Sequence, residues 1–334
     1  MGNESILHDA GCTLVASVII PAYNAEATLG EQLDALCAQD APFGFEILVC
    51  DNGSTDGTAS LVRSRRERMP ALRLVDASGR RGPAAARNIG VSEARTTILL
   101  FCDADDVVDT SWVRVMATHV GEHAFVAGLM EHALLNPRSP WTGGWVEPTY
   151  REGFLPWLAA AGSGNMGVQA EVFASVGGFD ETRPSGEDAD LSWRLQLAGH
   201  EVHSAWDAVV HVRKREGLRA TIRQGFAKGT AVRQLKHDYA VVAHTLQQAA
   251  RVRPAGRADS LAAGVTAPSE SLAAAHGQPG RLGRLRRIPG RAARVLRQPS
   301  QLLRECGEVS SWLGFRFGRI DESRALVDPG LSAR

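Results

Sequence analysis

The stretch ILLFCDADD, residues 98–106, joins a short apolar run to three aspartates. An apolar run of this length is typical of a strand buried on both faces of a parallel sheet, and we predict a strand over residues 96–101. Similar strands are predicted over 13–20, 46–50 and 72–75. Helical patterns lie between them, which predicts an α/β fold with a mostly parallel, Rossmann-like sheet flanked by helices.

The predicted helices cover residues 24–37, 58–68 and 84–94. A looser region follows over 124–161, then a loop and helix over 177–199 and a further strand over 202–212. In open parallel sheets, ligands bind beyond the carboxyl ends of the strands. Polar clusters stand at three of those ends, and we expect them to converge on one site: residues 21–24, 51–56 and 103–106.

The composition indicates a folded protein with a polarised charge. With 334 residues, 44% of them hydrophobic, the chain is long enough for a buried core and unlike disordered, collagen-like or disulfide-scaffold proteins. Its 37 basic residues equal its 37 acidic ones, which excludes a strongly basic nucleic-acid-binding protein. Residues 1–212 nevertheless hold 14 basic and 28 acidic residues, and residues 213–334 hold 23 and 9. We therefore predict an acidic body with a basic tail.

This division gives four predicted segments. An N-terminal tail, 1–12, precedes the predicted α/β domain over 13–238. A helix and a linker rich in Ala, Gly, Ser and Pro cover 239–280, and an Arg-rich, basic helical extension covers 281–334. Residues 1–11 lack the pattern of a secretory signal, and no run approaches the roughly 20 apolar residues of a membrane span. Five cysteines without metal-ligand spacing favour reduced thiols, so a cytoplasmic protein is expected.

Asp103 and Asp105 form a D-x-D motif directly after the predicted strand. Carboxylates in this arrangement suit Mg²⁺ or Mn²⁺, with substrate phosphates completing the coordination shell. The alternative is a solvated acidic turn that caps the next helix. The chain has neither a G-x-G-x-x-G motif after its first strand nor a P-loop, which disfavours dinucleotide enzymes and P-loop NTPases.

Three further groups carry candidate chemistry. Glu187 and Asp188 precede an amphipathic helix, where a carboxylate stays ionised and can act as a general base; an acidic helix cap is the alternative. Arg87, near Arg80 and Arg81, can meet phosphate or lie on a solvated helix face. His211, at the end of an apolar segment, is either a metal ligand or a structural histidine.

Five motifs in this order resemble the family 2 glycosyltransferases of the GT-A fold: SVIIPAYNAEATL, EILVCDNGSTDGT, RGPAAARNIG, ILLFCDADD and GGFDET…GEDADLSWRLQLAG. The resemblance covers residues 14–212. It implies a nucleoside-diphosphate-sugar donor, a divalent cation and roles for individual residues. These are the base-side loop Pro21, Ala22 and Tyr23; the base- or ribose-contacting Asp51; the nucleotide-side Arg87; the ribose-side Asp103; the metal ligands Asp105 and His211; and the catalytic base Asp188, paired with Glu187.

The resemblance implies inverting, metal-dependent sugar transfer to a hydroxyl acceptor, such as a glycan in cell-envelope polysaccharide synthesis, a lipid-linked sugar or a secondary metabolite. Residues 191–194 read LSWR where processive synthases carry Q-x-x-R-W, so a non-processive enzyme is expected. A sugar-nucleotide-binding scaffold without turnover and a nucleotidyltransferase are the alternatives.

The basic tail has two interpretations. Residues 281–304 are dense in arginine with leucines interleaved, and Trp312, Phe315 and Phe317 follow. Such a segment can lie on an anionic membrane near a lipid-linked acceptor, which would place the protein on the inner face of the plasma membrane. It can equally pack its leucines on the acidic body. Pro289 and Pro299 interrupt any long amphipathic helix.

Overall fold

The computed structural model of the chain describes residues 13–137, 147–214, 217–252 and 299–324, without the side chains of 252 and 299–305. The predicted N-terminal tail, the linker and most of the Arg-rich segment lie outside the described residues. The chain divides into two compact units. Unit 1 comprises Met1–Glu152 and Leu158–Lys214, and unit 2 comprises Gly153–Trp157 and Arg215–Arg334. The domain boundary expected at residue 238 falls inside unit 2.

Unit 1 is built on an α/β sheet whose strands alternate with helices. Its strands are β1 (Leu14–Ala22), β2 (Gly44–Asp51), β3 (Leu72–Asp76), β4 (Ile98–Cys102), β5 (Val107–Val108), β6 (Phe125–Glu131), β7 (Thr149–Tyr150), β8 (Ala160–Ala161), β9 (Asn165–Gln169) and β10 (His203–His211). Its helices are α1 (Leu29–Cys37), α2 (Thr58–Arg65), α3 (Pro83–Glu93), α4 (Trp112–Glu122), α5 (Ala170–Ser175) and α6 (Glu187–Leu197).

Eight strands form the main sheet in the order β3-β2-β1-β4-β9-β6-β10-β5, and β7 pairs with β8 separately. Strands β3, β2, β1 and β4 run parallel, as do β6 and β10. Strand β9 is antiparallel to both of its neighbours, β4 and β6, and β5 is antiparallel to β10. The predicted α/β fold with a mostly parallel sheet flanked by helices is confirmed.

Both faces of the sheet are buried, which explains the continuous apolar runs in its central strands. Val18 and Ile20 of β1 belong to one cluster of buried side chains, whereas Ile19 belongs to a second cluster. The indole Nε1 of Trp112 in α4 donates a hydrogen bond of 2.8 Å to Asn165 Oδ1 in β9. This bond satisfies a fully buried indole and fixes α4 against the antiparallel strand.

The first helix begins later than predicted, at Leu29 instead of residue 24. Asn24 has a positive φ of 50°, and its backbone N–H donates to Ser54 Oγ. Its Oδ1 accepts a hydrogen bond from the backbone N–H of Thr55. These contacts hold residues 24–28 as a loop against the turn after β2, because an Asn side chain readily hydrogen-bonds backbone groups outside a helix.

Unit 2 contains α7 (Leu218–Asp238), α8 (Ala240–Val252) and α9 (Pro299–Phe317). Helices α7 and α9 approach each other closely at glycines. A Cβ atom at Gly229 would collide with the backbone oxygen of Ser311, and one at Gly314 would collide with the backbone of Phe226. Glycine therefore permits contact between the two backbones. Among the described helices, none is long and apolar enough to cross a bilayer.

Candidate active site

The carboxyl ends of β1, β2 and β4 lie side by side at one edge of the sheet of unit 1. Ala22 pairs with Asp51 in the parallel register of β1 and β2. Ile19 of β1 pairs with Phe101 of β4, so Asp103 comes level with Pro21 two residues further on. The sequence-predicted polar clusters therefore converge at the same edge.

The loop after β1 is open to solvent, whereas Asp51 is held at the end of its strand. The side chain of Tyr23 is 63% exposed. Asp51 Oδ1 accepts a hydrogen bond of 2.9 Å from the backbone N–H of Ser54, which fixes the carboxylate within the turn after β2. An exposed aromatic ring near a positioned carboxylate provides stacking and hydrogen-bonding groups for a planar ligand.

Three carboxylates cluster beyond β4. Asp103, Asp105 and Asp106 each offer one carboxylate oxygen within 4.8 Å of the others. Burial, followed by the negative charges of Asp103 and Asp105, raises the pKa of Asp106 to about 8. A set of carboxylate oxygens fits a hard divalent cation such as Mg²⁺ or Mn²⁺, whose charge would favour the ionised form of Asp106.

Two side chains that the sequence analysis did not single out hold this acidic loop in place. Gln32 of α1 donates from Nε2 to the backbone oxygen of Asp103 (3.1 Å) and accepts from the backbone N–H of Val108 (3.0 Å). The backbone N–H of Arg213 donates to Asp106 Oδ1 at 2.9 Å, and its Nε donates to the backbone oxygen of Asp105 at 3.0 Å. The loop is thus anchored from both sides.

Arg87 joins the two acidic motifs. Its guanidinium Nη2 lies 2.7 Å from Asp103 Oδ1, and its Nη1 lies 3.1 Å from Glu187 Oε1. The side chain is only 3% exposed and stacks over the Phe179 ring, 5.5 Å from the ring centroid. The structure therefore brings Asp103 and Glu187 together through Arg87, and its contact with a nucleotide stays a prediction.

Asp188 lies in the first turn of α6, directly after Glu187. Gly186 precedes the helix with a left-handed φ of 80°, and Asp188 Oδ1 accepts a hydrogen bond of 2.8 Å from the backbone N–H of Ala189. Burial, then the neighbouring charge of Glu187, raises the pKa of Asp188 to about 7, although the charge of Arg87 opposes the rise. A carboxylate with this pKa can accept a proton near neutral pH.

Buried polar contacts fix the position of helix α6. Ser192 Oγ donates to the backbone oxygen of Asp188 at 2.7 Å and accepts from the backbone N–H of Ala161 at 3.1 Å. Arg194 pairs with Asp190 at 2.7 Å and donates to the backbone oxygens of Val176 and Gly178. The segment LSWR, which differs from the processive motif, thus acts here as a support for Asp188.

Tyr150 of β7 belongs to no motif of the sequence, yet the charges of the acidic pair act on it. Burial raises the pKa of its phenol well above the usual value, and the charges of Asp188, Glu152 and Glu187 act in the same direction. The phenol is therefore electrostatically coupled to Asp188 and stays protonated.

His211 ends β10, where it pairs with Val107 of β5 in antiparallel register. Its Nδ1 lies 2.9 Å from Glu131 Oε2 of β6. Burial raises the pKa of Glu131, but the contact with His211 and hydrogen bonds from two backbone N–H groups outweigh it and lower the pKa. The pairing places His211 beside Val107, the residue that follows the acidic loop. His211 is not a member of the group formed by Asp103, Asp105 and Asp106. Its metal role stays a prediction.

Comparisons with known proteins agree with the fold and the motifs. The family model described as Glycosyl transferase family 2 matches residues 17–161. Glycosyltransferase AglE of Haloferax volcanii is 30% identical over 203 residues, 58% of this chain and 65% of that protein. Validoxylamine A glucosyltransferase of Streptomyces hygroscopicus subsp. limoneus is 30% identical over 218 residues, 55% of this chain and 48% of that protein.

A solved structure supports the fold over most of the chain. The mannosyltransferase PcManGT from Pyrobaculum calidifontis, in complex with GDP-Man and Mn²⁺, has a TM-score of 0.55 and 22% identity. The likeness covers 90% of this chain and 87% of that one. The chain spans less than two thirds of the length of the two sequence relatives named above. Residues 17–161 of the chain are thus a glycosyl transferase family 2 domain.

Proposed function

We propose that the chain is an inverting, metal-dependent glycosyltransferase that moves a sugar from a nucleoside diphosphate to a hydroxyl acceptor. The observation that carries this proposal is the pair of ion contacts made by Arg87, to Asp103 at 2.7 Å and to Glu187 at 3.1 Å. They join the carboxylate cluster that suits a divalent cation to the start of the helix that carries Asp188. Arg87 thus connects the proposed site of the leaving diphosphate to the proposed proton acceptor.

The donor nucleotide binds at the carboxyl ends of the parallel strands in this proposal. Pro21, Ala22 and Tyr23 lie beside the base, and Asp51 contacts the base or ribose. Asp103 faces the ribose, and Arg87 keeps its positive charge beneath the nucleotide. These assignments are supported by the convergence of β1, β2 and β4 at one sheet edge, where ligands of open α/β folds bind.

A divalent cation would be held by Asp105, with Asp106 beside it and His211 as a further ligand. When bound, Mg²⁺ or Mn²⁺ neutralises the negative charge that develops on the leaving diphosphate. The protein's own contribution is to hold these side chains in advance, through the contacts of Gln32 and Arg213 with the acidic loop.

Asp188 is the general base. Its carboxylate takes the proton from the acceptor hydroxyl while the hydroxyl oxygen bonds to the anomeric carbon and the bond from that carbon to the diphosphate oxygen breaks. The electron pair of the broken bond leaves with the diphosphate. A single displacement of this kind inverts the anomeric configuration. The pKa of Asp188, raised to about 7, matches this task near neutral pH.

A panel of nucleoside-diphosphate sugars tests the proposal against a binding scaffold without turnover. We expect at least one donor to raise the melting temperature of the full chain with Mn²⁺ and to release nucleoside diphosphate slowly. Asp105→Asn should lose the Mn²⁺-dependent shift, whereas Asp109→Asn, which removes a nearby acid outside the cluster, should keep it. Binding without release of nucleotide would favour the scaffold, and no binding by any donor would refute both.

We further propose that unit 2 contacts an anionic membrane at the cytoplasmic face, near a lipid-linked acceptor. Leu218, Ile222 and Phe226 are exposed at helical spacing along α7, with Arg219 and Arg223 between them. On α9, Val309, Trp312 and Phe317 are also exposed. Apolar side chains interspersed with arginines suit the interface of an anionic bilayer.

Sedimentation of the full chain with anionic and neutral vesicles tests this contact. We expect binding to anionic vesicles that weakens in Trp312→Ser. Trp206→Ser is the matched control, because Trp206 of unit 1 is also exposed and lies outside the proposed surface. Equal sedimentation of the wild type and Trp312→Ser would refute the membrane surface and favour packing of the tail on the body.

A further inference from the structure

Three histidines lie together in unit 1 at the opposite end of β10 from His211. His119 is in the last turn of α4, His123 follows that helix as its C-cap residue, and His203 is the first residue of β10. The spacing of four residues places His119 and His123 on one side of the helix. The cluster therefore joins α4 to β10, far along the strand from the proposed donor site.

The ring nitrogens of this cluster are close enough to share one ion. One ring nitrogen from each histidine lies within 4.8 Å of the other two. The rings of His123 and His203 stack with centroids 3.8 Å apart and an angle of 6° between their planes. The His119 ring lies 5.0 Å from that of His203. His123 is exposed, so an ion can reach the cluster from solvent on that side.

His119 has the hydrogen-bonding pattern of a metal ligand with an outer carboxylate. Its Nε2 lies 2.9 Å from Asp207 Oδ1. Its Nδ1 is buried and has no hydrogen-bond partner among the residues that the structure describes. A carboxylate on one ring nitrogen fixes the tautomer and leaves the lone pair of the other nitrogen for a cation. A buried nitrogen left without a partner would cost free energy, which a bound ion would offset.

We propose that His119, His123 and His203 bind one transition-metal ion of the imidazole-preferring class, Zn²⁺, Ni²⁺ or Cu²⁺. His119 in the last turn of α4 and His123 at its C-cap, four residues later, form a chelating pair, and His203 adds a third ligand from the strand. The site differs in chemistry from the carboxylate cluster of Asp103, Asp105 and Asp106, which suits harder cations. A bound ion would link the end of α4 to the start of β10.

Calorimetric titration of the metal-stripped full chain with Zn²⁺, in millimolar Mg²⁺, tests the site. We expect one equivalent of Zn²⁺ to bind in the wild type, and His123→Asn and His203→Asn each to weaken binding at least about tenfold. His200→Asn is the control, because His200 lies in the same unit outside the cluster, and it should bind as the wild type does. The double variant of His123 and His203 measures how much Zn²⁺ the carboxylate cluster binds by itself.

Electron paramagnetic resonance with one equivalent of Cu²⁺ identifies the ligands. We expect hyperfine coupling to nitrogen in the wild type and in His200→Asn, and its loss in the double variant of His123 and His203. Since His123 is exposed, its substitution leaves the core intact. Zn²⁺ binding that is the same in the wild type and the double variant, or a Cu²⁺ spectrum without nitrogen coupling, would overturn the proposal.

Discussion

Replacing Arg87 by methionine removes the positive charge that joins the acidic loop to helix α6. The apolar side chain of methionine keeps most of the volume, so the main change is electrostatic. Asp103 and Glu187 then lose their shared partner. Breaking a buried ion pair by removing one member costs about 3–5 kcal/mol, because the remaining charge stays desolvated.

The structure places the expected loss near the lower end of that range. The Glu187 side chain is 10% exposed, whereas that of Asp103 is 35% exposed and regains water. We therefore expect unit 1 to lose about 3 kcal/mol in its free energy of unfolding. For a unit of about 200 residues this corresponds to a decrease of roughly 6–12 °C in melting temperature.

The same substitution should move the pH dependence of catalysis. Burial and the charge of Glu187 raise the pKa of Asp188, and Arg87 opposes them. Without Arg87, the inflection in kcat/KM should therefore lie above the wild-type value of about 7. The assays are thermal unfolding and kcat/KM measured across pH.

Arg114→Met is the matched control, since Arg114 and Asp40 form an exposed ion pair in the same unit, with side chains 42% and 51% exposed. Exposed pairs contribute about 0–1 kcal/mol, so this variant should unfold close to the wild type. If Arg87→Met were as stable as Arg114→Met and left the inflection unchanged, the bridging role of Arg87 would be refuted.

Three further predictions concern titration and packing. In the wild type, kcat/KM should fall as the pH drops through about 7, because protonation of Asp188 removes the base; a rate that is flat from pH 5.5 to 8.5 would exclude it. Asp106 has a folded-state pKa of about 8 against 3.8 for the free group, so between these pH values the folded state holds a proton that the unfolded state has lost. Without metal, the free energy of unfolding should therefore decrease as the pH rises from 3.8 to about 8. Melting temperatures at pH 5 and 8 test this, with Asp106→Asn expected to show a weaker dependence. Gly229→Ala should destabilise the pair of helices α7 and α9 by about 1–3 kcal/mol, as seen by limited proteolysis, whereas Gly121→Ala meets open space and should not destabilise the chain.

The sequence predicts the parallel part of the sheet because its strands are continuous apolar runs followed by polar turns. Each end of strands β1, β2, β3 and β4 lies within two residues of its predicted position. Strand β9 escapes prediction because its five residues, NMGVQ, contain only two large apolar side chains and a glycine. Its place between β4 and β6 depends on antiparallel pairing, which no local pattern carries.

In the candidate site, too, local motifs can be predicted from the sequence and contacts between distant residues cannot. The acidic motifs are visible in the sequence because their residues are adjacent. The partners of Arg87 lie 16 and 100 residues away, and those of Gln32 lie 71 and 76 residues away, so only the fold brings them together. The histidine cluster had one local signal, the spacing of His119 and His123, but its third member comes from β10.

The most direct test of the central claim compares Asp188→Asn with the wild type at pH 8, at saturating Mn²⁺ and donor. Removing a general base slows transfer by about 10²–10⁴-fold, whereas the neutral isostere leaves the donor-binding groups in place. We predict that release of nucleoside diphosphate falls by that factor while the Kd for the donor, measured on the same preparation, stays within about threefold. Turnover by Asp188→Asn at the wild-type rate would contradict the account.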